Sequence, residues 1–224
     1  MRRDLQPRSP AGAVRPRSTI NQSEKAMKPT TSVILSGVGG QGILLAGEIL
    51  ATAAMNSGFD AKKSEVHGMA QRGGSVVAHV RFGEKVYSPL AKLGEADYLV
   101  AFERLEALRY LPLVKNGGTV VMNDQRIVPL SVTFGAGAYP EKIEEMLSGR
   151  AKAVEVIPAL AIAQEMGNTN VVNLVMLGAL SKYLIFPEET WQKSLEERVP
   201  KKFLELNQKA FARGAEAART KVTA

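Results

Sequence analysis

The stretch Gly37-Val38-Gly39-Gly40-Gln41-Gly42 constrains the fold of this chain more than any other. It follows a short apolar run, Ser32 to Ser36, and precedes a helix-like segment, Ile43 to Asn56. Strand, glycine turn and helix in that order is the setting in which a G-x-G-x-x-G pattern has structural meaning. Gly37 permits a sharp turn, Gly39 a close approach to the backbone, and Gly42 close packing of helix on strand. The first amides of the helix would point at an anion or a polar neighbour. The pattern alone is open to two readings. One is a nucleotide or phosphate site at Gly37, Gly39, Gly40, Gln41 and Gly42; the other is a tight strand-helix junction.

The helix after the turn carries a single charge, Glu48, between Gly42 and Phe59. Ile43, Ala46, Gly47, Leu50, Ala51 and Ala54 share one face at helical spacing, and the opposite side, with Leu45, Thr52 and Met55, is hardly polar. Such a helix is buried nearly all round, by its own domain or by another subunit, and its small residues permit close approach.

Strand patterns follow at Asp60 to Val66 and at Ser75 to Phe82. In the second, Val76, Ala78, Val80 and Phe82 face one way and Ser75, Val77, His79 and Arg81 the other. Gly83-Glu84 suits an antiparallel hairpin into Lys85-Val86-Tyr87, ended by Ser88-Pro89. Tyr98 to Phe102, Glu103 to Val114 and Thr119 to Met122 read as a strand-helix-strand unit with parallel pairing. Val128 to Tyr139 reads as irregular and Glu141 to Leu147 as a short helix. Val154 to Ile157 is a further strand, and Pro158 to Met166 and Asn170 to Phe186 are helices. An amphipathic helix from Pro187-Glu188 presents Trp191, Leu195 and Val199, and the last presents Phe203, Asn207, Ala210 and Gly214. The expected fold is a three-layer α/β/α domain with a mainly parallel sheet, an antiparallel hairpin and C-terminal helices covering the sheet.

The domain spans residues 29–224. Residues 1–28 hold three prolines and seven basic side chains against Asp4 and Glu24, and read as a disordered basic extension, with Met27 the expected natural start. The rest of the chain holds 22 basic and 20 acidic residues, so the net charge of +7 does not point to nucleic acid. The uncharged run Thr169 to Ser181 is shorter than the ~20 apolar residues a membrane span needs. No apolar signal core opens the chain, and a cytoplasmic location is expected. With no cysteine, disulfides, thiolate zinc sites, cysteine-held iron-sulfur clusters and cysteine nucleophiles are excluded from this chain. With only His67 and His79, no histidine-rich metal site is expected.

The second candidate site is the loop from His67 to Gly74, HGMAQRGG. His67 donates, accepts or titrates near neutral pH, and Gln71 and Arg72 supply donors for carbonyl, carboxylate or phosphate oxygens. Gly73 and Gly74 let backbone amides approach a ligand. The alternative is a loop held by its own hydrogen bonds. His79 and Asn173 read as structural, on a sheet face and in an apolar helix. A dinucleotide site asks for an acid about twenty residues past the glycines, at the end of the second strand. Asp60 stands at that strand's start and Glu65 near its end, and neither fits well. No P-loop, no G-x-S-x-G elbow and no G-D-G thiamine pattern is found.

The glycine turn, SEVHGMAQRGGSV from Ser64 to Val76, the Ser88-Pro89 pair and NVVNLVMLGAL from Asn170 to Leu180 together resemble one family. It is the gamma-type subunit or domain of 2-oxoacid:ferredoxin oxidoreductases, with the indolepyruvate branch nearest. The likeness runs from about Met27 to the C-terminal helices.

The resemblance implies oxidative decarboxylation of a 2-oxoacid, aryl pyruvates in this branch. Coenzyme A is then the acyl acceptor and ferredoxin the electron acceptor. It also implies that thiamine diphosphate and iron-sulfur clusters sit on a larger alpha subunit, and that this chain binds no cofactor by itself and is inactive alone. The glycine-turn helix and the loop would then dock on that subunit beside the thiamine site. Gln71 or Arg72 would engage a substrate carboxylate or a coenzyme A phosphate, and His67 would move a proton or orient a neighbour. The competing expectation is a free-standing Rossmann-like oxidoreductase with NAD(P) at Gly37 to Gly42. A third is a non-enzymatic interaction module.

Overall fold

The computed structural model describes residues 29–67, 73–135 and 137–218. The expectations for residues 1–28, and for Gln71 and Arg72, lie outside the described residues.

In chain order the elements are β1 (Thr31–Val38), α1 (Ile43–Asn56), β2 (Asp60–His67), β3 (Ser75–Gly83), β4 (Ala96–Ala101), α2 (Arg104–Tyr110), β5 (Val114–Asn123), α3 (Leu130–Thr133), α4 (Ile143–Ser148), β6 (Ala153–Ile157), α5 (Ala159–Glu165), α6 (Val172–Ser181), α7 (Glu188–Arg198) and α8 (Lys201–Ala217). The sheet order is β2-β3-β1-β4-β5-β6. β3 pairs antiparallel with both β2 and β1, and the β1–β4, β4–β5 and β5–β6 pairs are parallel. All strands except β3 therefore run the same way, and their carboxyl ends gather on one edge.

The run Val33-Ile34-Leu35 is fully buried, as suits a central strand covered on both faces. On one face Val33, Leu35, Val76, Ala78, Val80, Phe82 and Val100 pack under α1, α5 and α6. On the other, Ile34, Val77, Leu99, Val120 and Met122 pack under α2 and α4. The result is the three-layer α/β/α arrangement.

α1 has the bounds its pattern predicts. It is buried from Ile49 to Ala54, and α7 lies against it: Arg198 Nε donates to Thr52 Oγ1 at 2.8 Å, and Asn56 Nδ2 to Ser194 Oγ at 3.1 Å. Its apolar length is thus covered within the chain. Of the two covers expected for this helix, its own domain supplies the one over Ile49 to Ala54, whereas Leu44 at its start and Met55 at its end remain exposed.

An antiparallel hairpin pair exists, but it is β2 with β3. Lys85-Val86-Tyr87 forms no strand, because both edges of β3 are already occupied. Val86 N donates instead to Asp60 Oδ2 at 2.9 Å. The irregular stretch from Val128 holds the short α3. The helix expected to reach Phe186 stops at Ser181, beyond which the chain turns back to the sheet. Tyr98 Oη donates to Tyr183 O at 3.0 Å, and Phe186 stacks against Phe59, Phe82 and Trp191. α6 lies directly on the sheet with α8 outside it, and Phe203 of α8 is half-exposed.

Candidate functional site

β1 is the switch point of the sheet. From it the chain leaves through α1 toward β2 and β3 on one side, whereas β4, β5 and β6 lie on the other. In open α/β sheets, ligands bind beyond the carboxyl ends of the strands at such a point.

Here the crevice between β1 and β4 is filled by Gln41. Its Oε1 accepts from Val38 N at 2.7 Å, and its Nε2 donates to Phe102 O and to Gln125 Oε1, each at 3.0 Å. Asn123 Nδ2 joins the same two oxygens at 3.1 Å, and Asn123 Oδ1 accepts from Ala159 N at 3.1 Å. One amide network therefore ties the carboxyl ends of β1, β4 and β5 to the start of α5. Gly37 leaves room for it, since a Cβ there would lie 2.7 Å from Gln41 Oε1.

Gly42 caps α1 at φ 76°, and a Cβ on it would lie 2.7 Å from Asn173 Nδ2. That nitrogen donates to Gly42 O at 3.3 Å, and Asn173 Oδ1 accepts from Leu174 N, so Asn173 is a bonded core amide. Gly39 N donates to Gly74 O at 2.8 Å. The two glycine motifs are thereby joined backbone to backbone. Beside them opens a mainly apolar groove of about 520 Å³, lined by Gly39, Gly40, Gly42, Ile43, Leu44, Leu45 and Val76. A smaller cavity of about 250 Å³ touches Gly40, Gln41, Gln125 and Asn170.

Gly37, Gly39, Gly40, Gln41, Gly42, Gly73 and Gly74 are thus gathered on one edge. His67 ends β2 there, paired with Val76 in the ladder. The dinucleotide geometry is not present: the amides of Val38 and Gly39 are already bonded, and β3 separates β2 from β1. Glu65 is paired with Lys63 at 2.5 Å. His79 is buried, and its Nδ1 accepts from Ala91 N at 3.2 Å. Burial, followed by the charge of Arg81, holds its pKa below the ordinary imidazole value.

Two buried carboxylates under the same edge carried no signal in the sequence. Glu103 caps α2, accepting from Glu106 N at 3.1 Å; it also accepts from Ile127 N at 2.9 Å and from Tyr139 Oη at 2.6 Å. Glu106 Oε2 accepts from Ser75 Oγ at 2.5 Å, and its Oε1 lies 3.3 Å from Arg109 Nε. Burial pushes the Glu106 carboxyl up, against the pull of Ser75 and Arg109. With no cysteine in the chain, its residues do not fit iron-sulfur clusters. Among the described residues, no three His, Asp or Glu side chains converge to hold a metal, and no helix is long and apolar enough to cross a membrane.

Residues 32–217 match the family described as pyruvate ferredoxin/flavodoxin oxidoreductase. The chain belongs to that family. It is 41% identical to the indolepyruvate oxidoreductase subunit IorB of Thermococcus kodakarensis, over 84% of this chain and 96% of that one. It is 30% identical to the 2-oxoglutarate synthase subunit KorC of Methanocaldococcus jannaschii, over 88% and 98% respectively. Among solved structures, the gamma subunit of a keto/oxoacid ferredoxin oxidoreductase from Geobacter sulfurreducens matches with a TM-score of 0.63 at 28% identity. That match covers 84% of this chain and 98% of the other. Both the resemblance and the three-layer fold expected from the sequence agree with these findings.

Proposed function

We propose that this chain is the gamma-type subunit of an aryl-pyruvate:ferredoxin oxidoreductase of the indolepyruvate kind, working in the cytoplasm. The observation that carries the reading is the 41% identity across nearly the whole of IorB, against 30% to the 2-oxoglutarate subunit. The reaction is oxidative decarboxylation: the 2-oxoacid loses carbon dioxide, its acyl group passes to coenzyme A, and the electron pair passes to ferredoxin. Thiamine diphosphate and the clusters belong to the larger subunit, and the absence of cysteine here supports that division.

The chain's own part is to present the edge built from the glycine turn, Leu44 and the strand β3 entry at Gly73-Gly74 to the larger subunit. Within the adjoining loop, Arg72 or Gln71 engages a substrate carboxylate or a coenzyme A phosphate, and His67 moves a proton or orients a neighbour. The chain alone is inactive.

The test is co-purification from the native source, followed by assay. A larger partner carrying iron and thiamine diphosphate, with coenzyme A-dependent reduction of ferredoxin by indolepyruvate, is the expected result. In that complex Arg72→Ala raises a Michaelis constant or lowers turnover; unchanged constants make the loop structural. A monomer that binds NAD(P) at micromolar levels overturns the whole reading. Gln41 already stands in the crevice that such a nucleotide would need.

A further inference from the structure

The geometry points to Glu106 as a positioning residue of the oxidoreductase, holding the strand β3 entry against the glycine turn through Ser75. It rests on the reading above, in which this edge faces the larger subunit.

Ser75 is the first residue of β3, directly after Gly73-Gly74, and pairs with Val38 at the end of β1. Gly74 O, one residue earlier, receives the Gly39 amide at 2.8 Å. The backbone that links the two glycine motifs is flanked on the Gly39 side by Gln41, which holds Val38 N, and on the Gly74 side by the side chain of Ser75. Ser75 Oγ lies 2.5 Å from Glu106 Oε2 and 3.1 Å from Tyr110 Oη. A carboxylate only accepts, so with Glu106 ionised the order is fixed: Tyr110 donates to Ser75, and Ser75 donates to Glu106.

Glu106 itself cannot drift. It is 4% exposed, its backbone N–H is held by Glu103 Oε2, and its carbonyl oxygen is within 3.4 Å of Ser36 Oγ on β1. A buried carboxylate is a costly way to hold a strand end, because an apolar side chain would pack there without desolvating a charge. Its geometric return is a directional bond from the Ser75 hydroxyl at the root of the glycine edge to Oε2, while Oε1 faces Arg109 Nε at 3.3 Å. None of these groups lies in the groove beside Leu44, so Glu106 acts on the edge from beneath it, through Ser75.

The experiment uses the assembled complex with indolepyruvate, coenzyme A and ferredoxin. Glu106→Leu and Ser75→Ala each lower kcat about tenfold or more with little change in the 2-oxoacid KM, as displaced positioning groups do. The double variant is no slower than the slower single one, since both break the same bond. Glu106→Gln keeps an acceptor oxygen and stays within about threefold of the native rate. Losses that multiply, or native turnover in Ser75→Ala, overturn the proposal. If Glu106→Leu fails to assemble, Ser75→Ala alone decides. A native complex without aryl-pyruvate activity sinks the underlying reading instead. An effect of Arg72→Ala with none at Ser75 sinks only this one.

Discussion

Gln41 Nε2 lies 3.0 Å from Gln125 Oε1, so a residue of the glycine turn is bonded to one that follows β5, across the end of β4. The same Gln41 side chain satisfies Val38 N and Phe102 O. It therefore closes the crevice that the strand order opens. Gln41→Ala should cost about 1–3 kcal/mol, the usual penalty for stranding partly buried polar groups. Gln41→Glu should cost more than Gln41→Ala, because a carboxylate would face the Phe102 carbonyl and Gln125 Oε1 with no hydrogen to give. Urea denaturation of the variants side by side checks the order; a Gln41→Glu chain as stable as native would remove the network from the account.

A second prediction concerns the helix pair behind the site. A Cβ built on Gly178 would stand 1.9 Å from Phe211 O, and one on Gly214 would stand 1.9 Å from Val175 O. α6 and α8 thus meet backbone to backbone, and neither contact ends in a flexible side chain that yields. Gly178→Ala and Gly214→Ala should each destabilise by at least the ~1–3 kcal/mol typical of overpacking. The double variant should be less than additive, since the first methyl already pushes the helices apart. Thermal unfolding of the three variants reads this directly.

These two relationships differ in how far the sequence discloses them. The bounds of α1 and the faces of β3 are legible because local periodicity and flanking glycines define them. The placement of β3 between β2 and β1 is not, since it depends on pairing across the sheet rather than on neighbours in the chain. The same limit explains the missing strand at Lys85-Val86-Tyr87: its pattern is sound, but no free edge of β3 remains for it. The apolar run past Ser181 reads as helix until Phe59, Phe82 and Tyr98, distant in sequence, draw it back. At the site, the two glycine motifs are each visible, whereas the Gly39–Gly74 bond that joins them is not. Asn123, Gln125, Glu103 and Glu106 are single polar residues at strand ends or in a short helix, with no spacing to mark them.

The buried imidazole gives a prediction in pH. His79 is neutral as an acceptor of the Ala91 amide, and its folded pKa lies below 6.5, chiefly through burial. Between that depressed value and 6.5 the unfolded chain binds the proton and the folded chain does not. Stability should therefore rise with pH through this window and level off above 6.5. Falling pH should loosen the segment after β3 first, because protonation removes the acceptor for Ala91. Hydrogen exchange of the Ala91 amide, followed from pH 7 downward, reports it. A His79→Gln chain should lose the slope; the same slope in that variant would assign it to another group.

The last prediction joins Glu103 to Tyr139. The carboxylate is 1% exposed and takes three donors, from Ile127 N, Glu106 N and the Tyr139 hydroxyl. Burial first, then the hydrogen bond to Glu103 and the charge of that carboxylate, push the Tyr139 hydroxyl far above the ordinary phenol range. In an ultraviolet titration of the folded protein, Tyr139 should stay protonated through the alkaline range in which an ordinary phenol ionises. Tyr139→Phe should remove that silent phenol and cost about 1.5–3 kcal/mol, as for a hydrogen bond to a charged group. Glu103→Gln should lower the Tyr139 pKa, because the negative charge that opposes phenolate formation is gone. It should also leave one of the three donors poorly served, since an amide offers a single acceptor oxygen. A Tyr139 titration unmoved by Glu103→Gln would leave burial as the whole cause of the shift and reduce Glu103 to a cap for α2.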